Sequence, residues 1–412
     1  MRGFTSKAVH GAPGKPDVHG TLRAPIYDNV TFEHPSADEM QQAFQGQRAA
    51  HSYTRISNPT IEDYEQRVRL ISDALGVIAV SSGMAAISNV ILALAESGTN
   101  IVTTRFLFGN SYSLFMNTLQ PWGLDVRFVD FFNPVSVNDA IDENTRAVFL
   151  EAITNPQLQV ADIKAIADIA HSKNVPLILD GTATTPYLFN AKAHGVDIEV
   201  ISATKYISGG GTTVGGLILD YGSFNWRRNP KLAAYVPKFG AYALLSWLRS
   251  EIYRNLGACI SPHNAYLQSL GLETMALRIH RGCENTLAIA QHLQSRKEVK
   301  AVNYPGLPSS PSHALARQQL PRGFGGIVTF NLGSKDECFA FMDSLRLIRR
   351  ATNINDNKTL ILHPASTIYV EYSPVEQEEM GISESMLRLS VGIEDLEDLL
   401  DDITQAIAAI SR

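Results

Sequence analysis

Between residues 76 and 220, short apolar and β-branched runs alternate with segments of helical spacing, and this alternation narrows the architectures open to the chain. The runs are VIAVSS, NIVTT, DVRFVD, AVFLEA, VPLILD, EVISA and GGLILD, and helical stretches such as MAAISNVILALAES and ADIKAIADIAHSKN separate several of them. Strands that alternate with helices build a mostly parallel sheet covered on both faces, so the expected fold class is α/β. Ligands in such sheets sit beyond the carboxyl ends of the strands. The residues that close each run are therefore the first candidates for chemistry.

The flanking sequence divides the chain into three parts. Residues 1–60 carry Pro13, Pro16, Pro25, Pro35 and Pro59 among many glycines and aspartates, and read as an extended arm. Residues 61–255 hold the alternating pattern. Residues 256–412 open on a long helical region, about Pro262 to Lys297, and continue with FGGIVTFNL, DECFAFMDSL, LRLSVGI and EDLEDLLDDITQAIAAIS, which read as a smaller α/β domain.

Composition excludes several functions. A formal net charge of −6 with interspersed charges offers no basic face for nucleic acid. No run approaches the roughly 18 apolar residues of a spanning helix, and the amino terminus lacks the apolar core of a signal peptide. A cytoplasmic enzyme without membrane or nucleic-acid partners is expected. Cys259, Cys283 and Cys338 are too far apart in sequence for a paired-cysteine zinc site, and no metal is expected.

Two strand ends and one helix start stand out. Asp180 closes VPLILD, and Lys205 follows EVISAT between Ser202, Thr204 and the run GGGTTVGG. Singly, these are a turn aspartate, a solvated lysine and two turn formers. Together they make a chemical set, because a lysine amine condenses with a carbonyl, hydroxyls hold a phosphate, and an aspartate keeps a pyridine nitrogen protonated. In AVSSGMAAIS a strand runs through a small-residue turn into a helix, where the free amides of Gly83 and Met84 would cradle an anion. The glycine run does not match the dinucleotide fingerprint, since the third glycine would fall on Val214 and a strand follows. A nicotinamide oxidoreductase is thereby disfavoured.

SATKYISGGGTTVGG, SSGM, YTRISNPT, LHPAST and LRLSVGIEDLEDLLDDI, taken in order along nearly the whole chain, resemble the Cys/Met-metabolism family of pyridoxal-phosphate enzymes. The resemblance implies an aminotransferase-like fold of type I with pyridoxal 5'-phosphate as cofactor. It implies that Lys205 binds the cofactor covalently and then moves protons. Asp180 would pair with the ring nitrogen, and Ser202, Thr204 and the Gly83 and Met84 amides with the phosphate. Tyr53 and Arg55 would reach the phosphate of a neighbouring subunit, making a homodimer the minimal active unit and a homotetramer the expected assembly. Arg388 would grip the α-carboxylate of a small amino-acid substrate, and Asn155 would sit near the ring hydroxyl.

Within the family, NINDNKTLILHPAST, from Asn353, resembles the corresponding stretch of O-acetylhomoserine sulfhydrylases, and Asn353 is expected at the substrate. Three positions depart from that pattern: Asn355 stands for a glycine, and Gly210 and Gly282 for histidines. A fourth departure bears on mechanism. Relatives read Tyr-Gly-Gly-Thr-Tyr where this chain has Phe108, Gly109, Asn110, Ser111 and Tyr112. Phe108 can stack on a ring but has no proton to give, which leaves Tyr53 or Tyr112 as candidate donors. An acylated hydroxyl leaves with little proton help. The expected reaction is γ-replacement on an O-acylated homoserine by sulfide or a small thiol, with γ-elimination or transsulfuration as the alternative.

Overall fold

The computed structural model describes residues 3–11 and 19–410. The larger sheet has seven strands: β1 (Gly76–Val80), β2 (Asn100–Thr103), β3 (Asp125–Phe128), β4 (Thr145–Glu151), β5 (Leu177–Asp180), β6 (Ile198–Ile201) and β7 (Gly216–Asp220). Their spatial order is β1-β7-β6-β5-β4-β2-β3. All neighbours are parallel except those of β7, which runs antiparallel to both β6 and β1. The expected mostly parallel α/β sheet is what forms.

Alternation along each strand decides which layer a side chain joins. Leu177 and Leu179 enter one apolar layer with Val148 and Leu150, whereas Ile178 enters the other with Phe149 and Ile198. Asp180 therefore emerges on the side of Ile178, the face covered by the helix Gly83–Leu94. Because β4 and β5 pair in register, Glu151 stands beside Asp180 at the same edge. The helix starts directly after β1, where Ser82 caps it by accepting the Ala85 N–H at 3.0 Å, an interaction worth about 1 kcal/mol.

The second sheet contains β8 (Ala301–Asn303), β9 (Ile327–Asn331), β10 (Arg349–Arg350), β11 (Leu360–Leu362) and β12 (Met386–Ser390), in the order β10-β11-β12-β9-β8. Helices Lys335–Ser344 and Leu396–Ile410 cover it through Phe341, Leu399 and Ile403. The helix Pro262–Gln294 belongs to both cores: Ala265, Leu272, Met275 and Ile279 pack with the larger sheet, and Ile289, Ala290 and Leu293 with the smaller. This continuous rod sets the smaller sheet, and Arg388 in the middle of β12, against the edge where Asp180 and Lys205 emerge.

The arm departs from the irregular chain expected. It contains helices Phe4–His10 and Ala37–Phe44; Ser36 caps the second, and Ala8 of the first is buried against the larger core. Proline and glycine punctuation hides such short helices, since one cap or one buried side chain sustains two turns. Pro13 and Pro16 lie outside the described residues. Leu22, Val30 and Phe44 leave apolar side chains exposed on the arm. Among the described residues no helix is long and apolar enough to cross a membrane.

Candidate active site

A cleft with about 870 Å³ of atom-free space, open solvent included, lies at the carboxyl ends of β4, β5 and β6. That is within the range of small-molecule sites. Its wall includes Gly83, Met84, Phe108, Asn155, Asp180, Ser202, Thr204, Lys205 and Arg388, so most of the expected residues converge although up to 305 positions separate them in the chain, from Gly83 to Arg388.

Lys205 follows the turn after β6, its N–H donating to Ser202 O at 3.2 Å. Its Nζ donates to Asn353 Oδ1 at 2.7 Å. Burial and the nearby Arg388 charge bring the amine down to about 8, against the opposing pull of Asp356. A useful fraction of the amine is therefore neutral near neutral pH.

Asp180 Oδ1 accepts the Thr182 N–H at 2.9 Å, and Thr182 Oγ1 in turn accepts the Ser202 N–H at 2.8 Å, tying the ends of β5 and β6 together. Desolvation raises Asp180, with the Thr182 donors pulling the other way. Glu151, which the sequence reading missed, is buried and accepts the Phe108 N–H at 2.6 Å. Burial first, then the Asp180 charge, push it well above the usual carboxylate range. Two desolvated acids side by side need a proton or a cation between them. The criterion that singled out Asp180 applied equally to Glu151, which closes AVFLEA.

At the other wall the helix Gly83–Leu94 presents its first-turn amides beside Ser202 and Thr204. A Cβ at Gly83 would fall 2.6 Å from Ser202 Cβ, so only glycine lets this turn approach the Lys205 loop. Arg388 is almost fully buried; it donates to Asn155 Oδ1 at 3.0 Å, and its Nε has no hydrogen-bond partner. Burial lowers it to about 10. A buried guanidinium with a free N–H is a place for a carboxylate. Asn155, expected near the ring hydroxyl, lines the cleft and meets Arg388 through its Oδ1.

One expected donor is elsewhere, and two ligands expected to serve a neighbouring subunit lie outside this chain's own cleft wall. Tyr112 does not line the cleft: its ring stacks on Phe128 at 5.3 Å and meets Tyr372 edge-on at 5.6 Å. The helical turn Gly109–Ser113 aims Ser111 at the cleft and rotates Tyr112 into the apolar layer. Tyr53 and Arg55 are also absent from this chain's cleft wall; they sit on the arm, the Arg55 guanidinium 5.2 Å from the Tyr53 ring and its NH1 donating to Arg254 O at 2.7 Å.

A protonated ring nitrogen would supply the cation that Asp180 and Glu151 lack, with a phosphate at the helix start and an aldehyde at the amine; the donors present fit that group. The fold and this cleft define the class: a pyridoxal-phosphate-dependent enzyme of fold type I. Sequence comparison narrows it. The profile for Cys/Met metabolism PLP-dependent enzymes matches residues 5–408, and the chain belongs to that family. It is 36% identical to homocysteine synthase of Schizosaccharomyces pombe, over 98% of this chain and 98% of that one. The structure of an O-acetylhomoserine sulfhydrylase from Wolinella succinogenes superposes with a TM-score of 0.79 at 53% identity, covering 86% of this chain and 99% of that one. A Campylobacter jejuni chain assigned as an O-acetylhomoserine (thiol)-lyase superposes with a TM-score of 0.92 at 33% identity, covering 98% and 99%; it holds N'-pyridoxyl-lysine-5'-monophosphate at its position 205.

Proposed function

We propose that this enzyme carries out γ-replacement on an O-acylated homoserine with sulfide or a small thiol, as an O-acetylhomoserine sulfhydrylase does. The observation that carries this reading is the proton inventory of the cleft. Among the described residues of this chain lining it, none is tyrosine, histidine or cysteine, Phe108 stands where relatives carry a tyrosine, and the one tyrosine a neighbouring copy would bring, Tyr53, is assigned to the phosphate. General acid help is worth roughly 10²–10⁴-fold. A carboxylate leaves Cγ without it, whereas the thiolate of methionine or cystathionine needs it.

Pyridoxal phosphate, when bound, supplies a ring that accepts the electron pair left at the substrate α-carbon. Gly83, Met84, Ser202 and Thr204 would hold the phosphate, and Asp180 would keep the ring nitrogen protonated. Phe108, on the cleft wall, would pack against the ring. Arg388 takes the α-carboxylate with the part of its guanidinium that lines the cleft, with Asn155 fixing the plane of the fork. Lys205, once free, removes the Cα proton and then one from Cβ, and later returns protons to the product. Tyr53 and Arg55 complete the phosphate site of a neighbouring copy, so a homodimer is the active unit and a homotetramer the assembly. The cysteines are unpaired, as in a reducing cytoplasm.

The test is O-acetyl-L-homoserine with and without sulfide, following homocysteine and 2-oxobutyrate separately. Sulfide-dependent homocysteine with little oxoacid is expected. Oxoacid alone, from methionine or cystathionine as well, would make the enzyme a γ-lyase.

A further inference from the structure

Asp356 lies outside the cleft wall, yet it stands behind the group that contacts Lys205. Lys205 Nζ donates to Asn353 Oδ1 at 2.7 Å, and Asn353 Nδ2 donates to Asp356 Oδ2 at 2.9 Å. The other carboxylate oxygen accepts the Lys358 N–H at 3.2 Å, which anchors the acid in its turn. A side-chain amide has a donor end and an acceptor end of nearly equal shape, whereas a carboxylate only accepts. With Asp356 behind it, Asn353 must give its Nδ2 to the acid and its Oδ1 to Lys205.

The glycine run after Lys205 makes room for this arrangement. Gly211 has φ +66°, and a Cβ there would lie 2.6 Å from Asp356 Oδ2 and 3.2 Å from Asn353 Nδ2. Asn357 Nδ2 donates to Gly209 O at 2.9 Å, so residues 353–357 are clasped to the loop that carries the lysine.

We propose that Asp356, acting through Asn353, is a positioning residue that presents an acceptor to Lys205 and holds its amine in one place while it carries a proton. Asn353 is then a partner of the lysine rather than a ligand of the substrate. The inference rests on Lys205 as the proton carrier of the proposed reaction. When Lys205 takes the Cα proton it becomes an ammonium, and an amide oxygen anchored on a carboxylate stabilises it until the proton is delivered. A reversed amide would oppose it with N–H groups. The charges facing Lys205 are Arg388, which disfavours the ammonium, and Asp356, which favours it. Arg278 of the long helix interacts with Asp356, and Asp180 and Glu151 lie on the cleft wall with Lys205.

The test compares wild type with Asp356→Asn, Asp356→Ala and Asn353→Ala as full-length proteins. In each, Lys205 is acylated after cofactor removal across the neutral-to-alkaline range and quantified by mass spectrometry, while the holoenzyme is assayed for kcat and KM. Removing the charge is expected to lower the Lys205 midpoint by about half to one unit, so the amine labels roughly 3–10-fold faster near neutral pH in Asp356→Ala. Asn353→Ala, which removes the acceptor itself but leaves the charge, and Asp356→Asn, which removes the charge but leaves Asn353, should each move labelling in the same direction by a smaller factor. In the holoenzyme kcat should drop while KM, set by Arg388, stays nearly constant. A wild-type labelling profile in both Asp356→Asn and Asn353→Ala would overturn the proposal, and these two decide it should Asp356→Ala fail to fold. The labelling shift in the variants, together with a wild-type enzyme that makes no homocysteine from O-acetyl-L-homoserine and sulfide, would overturn the sulfhydrylase reading and leave this one standing.

Discussion

The two ends of the same central strands treat a carboxylate in opposite ways. Asp197, just before β6, is saturated: it accepts from His171 Nε2 at 2.7 Å, Ser223 Oγ at 2.6 Å and the Leu177 N–H at 2.9 Å. Asp180, at the close of β5, has the Thr182 backbone donor at 2.9 Å and faces a second acid, Glu151. The saturated end locks strands to helices. The unsaturated end keeps charge and proton capacity that only a ligand satisfies. The candidate site occupies the edge where hydrogen bonding is left incomplete.

Substitutions at the two ends sharpen that contrast. Lys205→Ala should cost the most, with turnover falling by roughly 10²–10⁴-fold or more and the covalent cofactor link lost, as read by absorbance and intact mass. Arg388→Lys keeps the charge but loses the planar fork. Losing hydrogen bonds to a charged group, at about 1.5–3 kcal/mol, should lower kcat/KM roughly 10–100-fold, chiefly through KM. Glu151→Ala orphans the Phe108 N–H and should cost about 1–3 kcal/mol in denaturant unfolding, most of which Glu151→Gln restores by keeping an acceptor.

The smallest effect belongs to the saturated end. The hydrogen bond to Asp197 raises His171 above the ordinary imidazole value. Its proton is held more tightly in the folded state, so its stabilisation is complete below the unfolded pKa and disappears as pH rises through the raised folded one. Between mildly acidic and mildly alkaline pH the wild-type Tm should fall more than that of His171→Gln, with kcat little changed. Equal losses of turnover in His171→Gln and Glu151→Ala would break the division between the two ends.

Much of the site was legible because strand periodicity and strand-end chemistry are local. Asp180, Lys205, Ser202, Thr204, Gly83 and Met84 each closed or followed an apolar run, and each lines the cleft. Glu151 met the same rule but gains meaning only from β4 lying next to β5, which its own strand does not state. Tyr112 was misread because proximity in sequence to Phe108 is not proximity to the cleft once a helical turn rotates it into the core. The arm's helices were hidden by its prolines.

The sequence by itself determined the α/β class, the mostly parallel sheet and most of the residues that line the cleft, since those depend on patterns a few residues long. Only the tertiary structure decided which groups meet. Lys205 and Asn353 are 148 positions apart, and Arg388 and Asn155 are 233 apart. Such pairs are set by the packing of the long helix against two cores. Local preference contains no term for contacts at that separation, so the partners of each functional group became visible only in the folded chain.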